Sequence, residues 1–274
     1  MKSITSRDNP FFRQLLKLED SARQRRMAGL TLLDGIHLIS AYHLALGPPK
    51  RLIVSESGCK NAEIKRFLAE QGGGEGTDAI VLSDILFREV SSVKKPTGIM
   101  ALISILSAEL LPMPKDGRAK RDEIFCVLLE AIQDPGNLGS ILRSAAAAGA
   151  SDVHLSQGCT DAWSPKALRA AMGAHFLLHI HERSDLAEVA RAFSGRVIAT
   201  TLKAKSSLYQ IRLTGSIALV FGNEGMGLSD AVLQATNEQI SIPMPGGTES
   251  LNAAAAAAVC FFERVRQMRT GLDK

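Results

Sequence analysis

Cysteine is scarce in this chain of 274 residues, which contains only four, at positions far apart in the sequence. No two of them form a C-x-x-C pair, so the sequence shows no pattern of paired cysteines. The N-terminus also lacks a signal-like apolar segment. These two absences predict a reduced protein that works in the cytoplasm.

Long apolar runs are lacking as well. The longest lies around residues 253–262 and is too short to span a bilayer, so we expect no membrane association. A metal-binding pattern is also missing. His175, His179 and His181 lie close together in AHFLLHIHE, but no cysteine or acidic partner stands at ligand spacing. We therefore interpret these histidines as structural and expect no metal cofactor.

Positive charge is in small excess, and the formal net charge is +4. The excess lies in residues 1–30, which contain seven basic and three acidic residues. The basic residues of this segment are Lys2, Arg7, Arg13, Lys17, Arg23, Arg25 and Arg26. Such a segment suits a polyanion such as RNA. A solvated helix face explains the same charges equally well.

A change in composition divides the chain into two parts. Residues 105–123 lose hydrophobic periodicity and gather proline, lysine and arginine, which predicts an interdomain linker over 107–122. Residues 1–106 before it show short strands and helices, typical of a small α/β domain. In residues 123–274 strands alternate with helices, which predicts a mostly parallel sheet with helices on both faces.

The first chemical motif, EAIQDPGNLGSILRSAAAAGA, spans residues 130–150. It predicts a strand end, a Pro-Gly turn, Asn137 at the helix cap, and a helix of small residues that carries Arg143. A single arginine among alanines either faces a cleft or an anion, or extends its charge into solvent. The motif lacks the G-x-G-x-x-G spacing, and no acidic residue follows the next strand, so we reject a dinucleotide site.

Two further motifs, ALVFGNEGMGLS (218–229) and ISIPMPGGTESLNAAAAAAVCFFE (240–263), each predict a buried strand, a glycine-rich turn and a helix. Backbone N–H groups and helix N-termini would then surround one crevice, which suits a nucleotide-like ligand. The polar residues in these turns are few: Asn223, Glu224, Ser250 and Asn252.

Taken in order, the three motifs resemble those of the SpoU/TrmH branch of the SPOUT-class RNA methyltransferases, and the resemblance covers residues 123–267. The segments ITSRDNPFFRQLLKL, LLDGIHLISAYHLA and KKPTGIMAL are similar to the small substrate-binding domain of rRNA-directed members, with Asp34 where that domain usually has glutamate. The resemblance implies a deep trefoil knot, bound S-adenosylmethionine, and methyl transfer to a ribose 2′-hydroxyl, of rRNA more than of tRNA.

The resemblance also assigns site residues. It implies cofactor binding by Gly222, Ile242 and Leu251, with Thr200 or Thr201 as a further contributor. It implies five catalytic positions: Asn137, Arg143, Glu224, Ser250 and Asn252. Arg143 would act on the hydroxyl proton either as a base or as an electrostatic clamp, although arginine is a poor base. Ser250 also fits a helix N-cap.

The resemblance further implies a homodimer. The final helix is small at residues 253–258 and bulky at Val259, Phe261 and Phe262, so one side can cover the sheet while the other meets a second subunit. Three alternatives remain open: a tRNA 2′-O-methyltransferase, a base methyltransferase of another SPOUT branch, and a non-catalytic RNA-binding or ribosome-assembly factor. The intact Asn137, Arg143 and SLN sequence argue against the last of these.

Overall fold

The computed structural model describes residues 2–71, 79–106, 123–223 and 225–270. Contacts divide the chain into two compact units. The first consists of Met1–Leu106 with Asp161–Phe176, and the second of Ser107–Thr160 with Leu177–Lys274. The predicted linker at 107–122 and the predicted site residue Glu224 lie outside the described residues.

The elements are numbered along the chain. The strands are β1 (Lys2–Ile4), β2 (Leu30–Asp34), β3 (Arg51–Ser55), β4 (Ala79–Leu82), β5 (Ile99–Ser104), β6 (Phe125–Leu129), β7 (Asp152–Leu155), β8 (His179–His181), β9 (Arg196–Thr200), β10 (Ser206–Ser207), β11 (Ile217–Phe221) and β12 (Glu238–Ser241). The helices are α1 (Pro10–Asp20), α2 (Ala22–Ala28), α3 (Ile36–Leu46), α4 (Ala62–Gln71), α5 (Asp84–Val90), α6 (Pro135–Ala148), α7 (Pro165–Ala171), α8 (Leu186–Ala192), α9 (Asp230–Gln234) and α10 (Ala253–Thr270).

The first unit is built on a five-stranded sheet in the order β1-β4-β3-β5-β2, in which β5 runs antiparallel to both of its neighbours. Asn9 caps α1, because its side chain accepts from the amides of Phe11 and Phe12. Ser21 then ends α1 and caps α2, so the basic segment forms two helices. Asp34 accepts a hydrogen bond from the Ser91 hydroxyl at 2.5 Å.

The segment Asp161–Phe176 packs within this first unit. Arg25 is only 4% exposed, and its Nε donates to Asp161 at 2.7 Å. The Thr31 hydroxyl donates to the Trp163 carbonyl at 2.6 Å. Arg25 is therefore not part of an exposed basic face, which corrects the interpretation drawn from its charge. A buried arginine of this kind is held by its partner, and removing one member of such a pair costs about 3–5 kcal/mol.

The second unit contains a seven-stranded sheet in the order β10-β12-β9-β11-β6-β7-β8, in which every pair is parallel. The central strands β6 and β11 are buried along their whole length, as their continuous apolar sequences predict. Helices α8 and α9 cover the face that contains Cys126 and Leu128. On the other face, Phe261 of α10 contacts the rings of Phe125 and Phe221. The predicted fold class is confirmed.

One predicted element differs. The apolar run HFLLHI (175–180) predicts a strand, but Ala174–Phe176 forms a 3-10 turn and only His179–His181 of this segment pairs in the sheet. Met172 and Gly173 both have positive φ, at 49° and 94°, and they turn the chain sharply after α7. After this turn Ala174, Phe176 and Leu178 are buried, whereas Leu177 is exposed. A short apolar run in the sequence does not distinguish this arrangement from a strand.

Candidate cofactor and catalytic site

A cavity of about 530 Å³ lies in the second unit, where β9, β11 and β12 end. Its volume is in the range of small-molecule sites, about 300–1,000 Å³. All five residues predicted to bind the cofactor line it: Thr200, Thr201, Gly222, Ile242 and Leu251. Ser250 lines it as well. The carboxyl ends of parallel strands meet at one edge, and this is why residues so far apart in sequence share one cavity.

Glycine shapes the wall of the cavity after β11. A Cβ atom on Gly222 would lie 2.4 Å from the carbonyl carbon and oxygen of Gly227 and 2.8 Å from the amide nitrogen of Leu228. Gly227 has a φ of 71° and donates its amide to the Asn223 carbonyl at 2.9 Å. The turn therefore closes tightly on itself and leaves backbone facing the cavity, as the glycine-rich motif predicts.

Side-chain and backbone hydrogen bonds hold the three strand ends together. The Thr200 hydroxyl donates to the Val220 carbonyl at 2.9 Å, and the Thr201 amide donates to the Ile240 carbonyl at 2.8 Å. The hydroxyl proton of Thr200 is thus used by the protein itself. Two charged side chains, Lys203 and Asp230, are among the described residues that line the cavity, and neither was singled out from the sequence.

The two helices next to the site are joined by their asparagines. Asn252 Nδ2 donates to Asn137 Oδ1 at 2.9 Å, and α6 packs against α10. The side chain of Asn252 also caps α10, because its Oδ1 accepts from the amides of Ala254 and Ala255. The helix therefore begins later than predicted, and Ser250, which is exposed, is not its cap.

The cap of α6 also differs from the prediction. Asp134 occupies this position, and its Oδ1 accepts from the Asn137 amide at 2.8 Å. Asn137 lies in the first turn of the helix, and its side chain does not cap the helix but accepts from Asn252. The prediction that Asn137 caps this helix is therefore wrong, although Asn137 lies in the same turn as the true cap, Asp134.

Arg143 lies on α6 beyond Asn137 and is exposed. It does not line the cavity, and Asn137 does not either. Within the described ranges, the Arg143 side chain forms no ion pair or hydrogen bond. The structure thus brings together the five cofactor positions and Ser250, links Asn252 to Asn137, and leaves Arg143 on the solvent side of the same helix.

Sequence reasoning missed the role of Asn223 in the architecture of the site. Its Nδ2 donates to the Ala131 carbonyl at 2.9 Å, and its Oδ1 accepts from the amides of Gly225 and Met226. Nearby, Glu130 accepts from the Ser229 amide and hydroxyl at 2.8 and 2.7 Å. The polar character of Asn223 was visible in the motif, but its partner 92 residues away was not.

The thiols and histidines of this unit do not form a second chemical centre. Burial raises the pKa of Cys126 and of Cys260 to about 12, so neither provides a thiolate. His181 Nε2 lies 3.1 Å from Asp152 Oδ1, and burial lowers the pKa of the neighbouring His154 to about 4. The part of the chain that the structure describes contains no histidine, cysteine or acidic cluster suited to a metal ion. None of its helices is long and apolar enough to cross a bilayer.

Comparisons with known proteins match this architecture. Residues 124–262 match the model of the SpoU rRNA Methylase family. The chain is 33% identical over 271 residues to an uncharacterized tRNA/rRNA methyltransferase of Synechocystis, covering 97% of this chain and 94% of that protein. It is 30% identical over 264 residues to the 23S rRNA (guanosine(2553)-2′-O)-methyltransferase RlmP of Bacillus subtilis, covering 96% and 98% of the two chains.

A solved structure is similar along the same length. The SpoU methyltransferase AviRb from Streptomyces viridochromogenes, in complex with the cofactor AdoMet, superimposes with a TM-score of 0.79 at 27% identity, covering 96% of this chain and 100% of that one. The family resemblance, the fold class and the cofactor predicted from the sequence are thereby confirmed. The chain belongs to the SpoU rRNA methylase family and is an RNA 2′-O-methyltransferase that uses S-adenosylmethionine.

Proposed function

We propose that this protein methylates a ribose 2′-hydroxyl in rRNA. The observation that carries the proposal is the cavity at the ends of β9, β11 and β12, whose wall contains Gly222 and Ser250 and whose neighbouring helix carries Asn137 and Arg143. The choice of rRNA is supported by the named activity of the Bacillus relative, which this chain matches along both units. A tRNA substrate is the alternative.

The substrate is tested by methyl transfer from S-adenosylmethionine labelled in its methyl group. Protein-free rRNA, assembled ribosomal subunits and bulk tRNA serve as acceptors in parallel. We expect label in rRNA, either free or in a subunit. Label in tRNA alone would replace rRNA with the alternative substrate, and cofactor binding without transfer to any of the three acceptors would contradict the proposal.

The cavity residues hold the cofactor in this proposal. The cofactor is surrounded mainly by backbone and apolar side chains and therefore needs few charged partners. The residues that provide these contacts are Thr200, Thr201, Gly222, Ile242 and Leu251. When bound, S-adenosylmethionine supplies an electrophilic methyl group on a positively charged sulfur. Ser250 lies on the cavity wall beside Leu251, and we assign it to the ribose side of the methyl-transfer site.

We assign Arg143 the role of electrostatic clamp. An arginine can act as a base only in a dry pocket that favours its neutral form. Arg143 is exposed, so it keeps its charge. A guanidinium that remains charged stabilises the negative charge that develops on the 2′-oxygen as its proton passes to solvent water. Asn137 orients the ribose or Arg143 and is itself held by Asn252. Glu224 completes the proposed set as the residue that fixes Arg143 or a partner subunit.

We also propose two domains, 1–106 and 123–274, joined by the linker 107–122, with a trefoil knot in the second and a cytoplasmic location. The order of the sheet supports the knot, because β11 and β12 lie on opposite sides of β9 and α10 then returns to pack on α6. The free cysteines, none of them paired in the described structure, support the location.

RNA affinity is assigned to a groove between α1 and α2. It has a volume of about 360 Å³ and is lined by Arg13, Lys17, Gln14 and Gln24 among others. The positive charges of Lys17 and of Arg13, which also pairs with Asp8, suit a phosphate backbone together with the two amides. Since Arg25 is buried, it takes no part in this surface.

Charge reversal in this groove is expected to weaken RNA binding. The R13E/K17E variant should bind RNA at least about tenfold more weakly. For each phosphate contact that the variant loses, the slope of log K against log salt concentration should become less steep by roughly 0.7–0.9. The variant's affinity for S-adenosylmethionine should be unchanged. R66E, which reverses an exposed arginine on α4 of the same unit, is the matched control. An equal loss in both variants would show that the groove does not bind RNA specifically.

Deleting residues 1–106 is a poorer test because it would uncover Trp163 and Phe176, which are buried in that unit.

We propose a homodimer that uses the outer face of α10. Ala255 and Phe262 are exposed and stand seven residues apart, so they share one side of the helix, with half-buried Val259 between them. Phe262 is 49% exposed. A two-fold interface would cover this apolar side in both chains.

A charge on that side should separate the dimer. F262E is expected to elute and scatter light as a monomer and to lose methyl transfer, because both subunits contribute to each RNA cleft in this proposal. Q234E, on the exposed side of α9, is the control and should remain dimeric. A wild-type monomer with full activity at the assay concentration would contradict the dimer.

A further inference from the structure

Ala131 has an unusual backbone conformation. Its φ is 54°, in the left-handed region that residues with a Cβ atom disfavour. It lies between the end of β6 and the cap of α6, in the turn that sets the direction of the helix carrying Asn137 and Arg143. A residue of this kind stays in place only if its surroundings hold it there.

Two side chains hold this turn from neighbouring strands. The Ala131 amide donates to the Ser156 hydroxyl at 2.9 Å, just beyond the end of β7. The Ala131 carbonyl accepts from Asn223 Nδ2 at 2.9 Å, just beyond the end of β11. Both polar backbone groups of the strained residue are therefore satisfied by side chains and not by the local turn.

Asn223 also contacts the cofactor side. Its Oδ1 accepts from the Gly225 amide at 2.8 Å and from the Met226 amide at 3.2 Å, and all three residues line the cavity. One amide group thus uses its acceptor on the cavity wall and its donor on the turn before α6. The oxygen and the nitrogen of the Asn223 side chain therefore bind two different segments, the cavity wall and the turn before α6.

We propose that Asn223 is a positioning residue that couples the wall of the cofactor cavity to the turn that directs α6. When the wall is fixed by bound cofactor, Asn223 holds Ala131 in its left-handed conformation and thereby holds Asn137 and Arg143 in register with the methyl group. The proposal rests on the assigned role of Arg143. It requires no contact between Asn223 and RNA.

The variant N223D tests the donor of this side chain separately from its acceptor. Aspartate keeps an acceptor for the Gly225 and Met226 amides but has no donor for the Ala131 carbonyl when ionised. We expect the affinity for S-adenosylmethionine, measured by calorimetry, to change less than threefold. We expect the single-turnover rate at saturating cofactor and RNA to fall at least tenfold.

A second substitution tests the route through Ala131. Glycine adopts positive φ without a Cβ penalty, so the turn no longer needs the same restraint. A131G alone should keep the rate within about threefold of the wild type. The N223D/A131G double variant should recover at least threefold over N223D, and thermal unfolding of all four proteins identifies any variant that fails to fold.

Three outcomes would overturn the coupling. They are an N223D rate equal to that of the wild type, a loss of cofactor affinity as large as the loss of rate, and no recovery in the double variant. The wild-type protein in the same series keeps the proposals distinct. Active wild type with active N223D removes only the role of Asn223, whereas wild type that binds cofactor but transfers no methyl removes the proposed function.

Discussion

The variant R143A is expected to transfer methyl groups about 100–1,000-fold more slowly than the wild type, the usual loss when one charge-stabilising donor is removed from an active site. Its affinity for S-adenosylmethionine should change less than threefold, because Arg143 does not line the cofactor cavity. Single-turnover transfer to the cognate RNA measures the first quantity and calorimetry measures the second.

Two companion variants make the result specific. R143K keeps a positive charge, so a clamp predicts a rate between those of R143A and the wild type. R191A removes an exposed arginine from α8, on the other side of the sheet, and should have the wild-type rate. A fully active R143A would remove Arg143 from the chemistry, and an R143K as slow as R143A would remove the clamp.

The variant G222A is expected to bind S-adenosylmethionine about tenfold to a hundredfold more weakly. The added Cβ would lie 2.4 Å from the backbone of Gly227, so the turn after β11 must open and reshape the cavity. Overpacking of this kind costs about 1–3 kcal/mol, which corresponds to that loss of affinity. Calorimetry measures the dissociation constant, and transfer should recover in part at high cofactor concentration.

G246A is the matched control for this substitution. Gly246 stands in the glycine-rich turn after β12, a Cβ there would have no atom within 4 Å, and its φ is not in the positive range. It should bind cofactor with nearly the wild-type affinity. Equal losses in the two variants would mean that general stiffening of glycine turns, and not the close approach of Gly222 to Gly227, controls binding.

The parallel sheet could be predicted because its signals are local, whereas the residues of the cavity were assigned through the family resemblance. β6 and β11 are continuous apolar runs, and the glycine turn that follows β11 comes where a parallel strand ends. The cap of α6 could also have been found. Pro135 favours the first helical position, which points to Asp134 before it and not to Asn137.

Other features could not be predicted because their causes are distant in sequence. Arg25 looks like an exposed charge on a basic helix until Asp161, 136 residues later, is placed beside it. The same holds for Asn223 and Ala131, which are 92 residues apart. Pattern and spacing describe one element at a time, and these contacts depend on which elements the tertiary fold brings together.

The central claim is that this protein places a methyl group on a ribose oxygen. The most direct measurement is mass spectrometry of nucleosides from rRNA that has been incubated with the protein and with S-adenosylmethionine carrying an isotope in its methyl group. We predict one 2′-O-methylated nucleoside that carries the isotope and that forms far more slowly when R143A replaces the wild type. Isotope found in a methylated base, or no isotope in rRNA despite tight cofactor binding, would contradict the account.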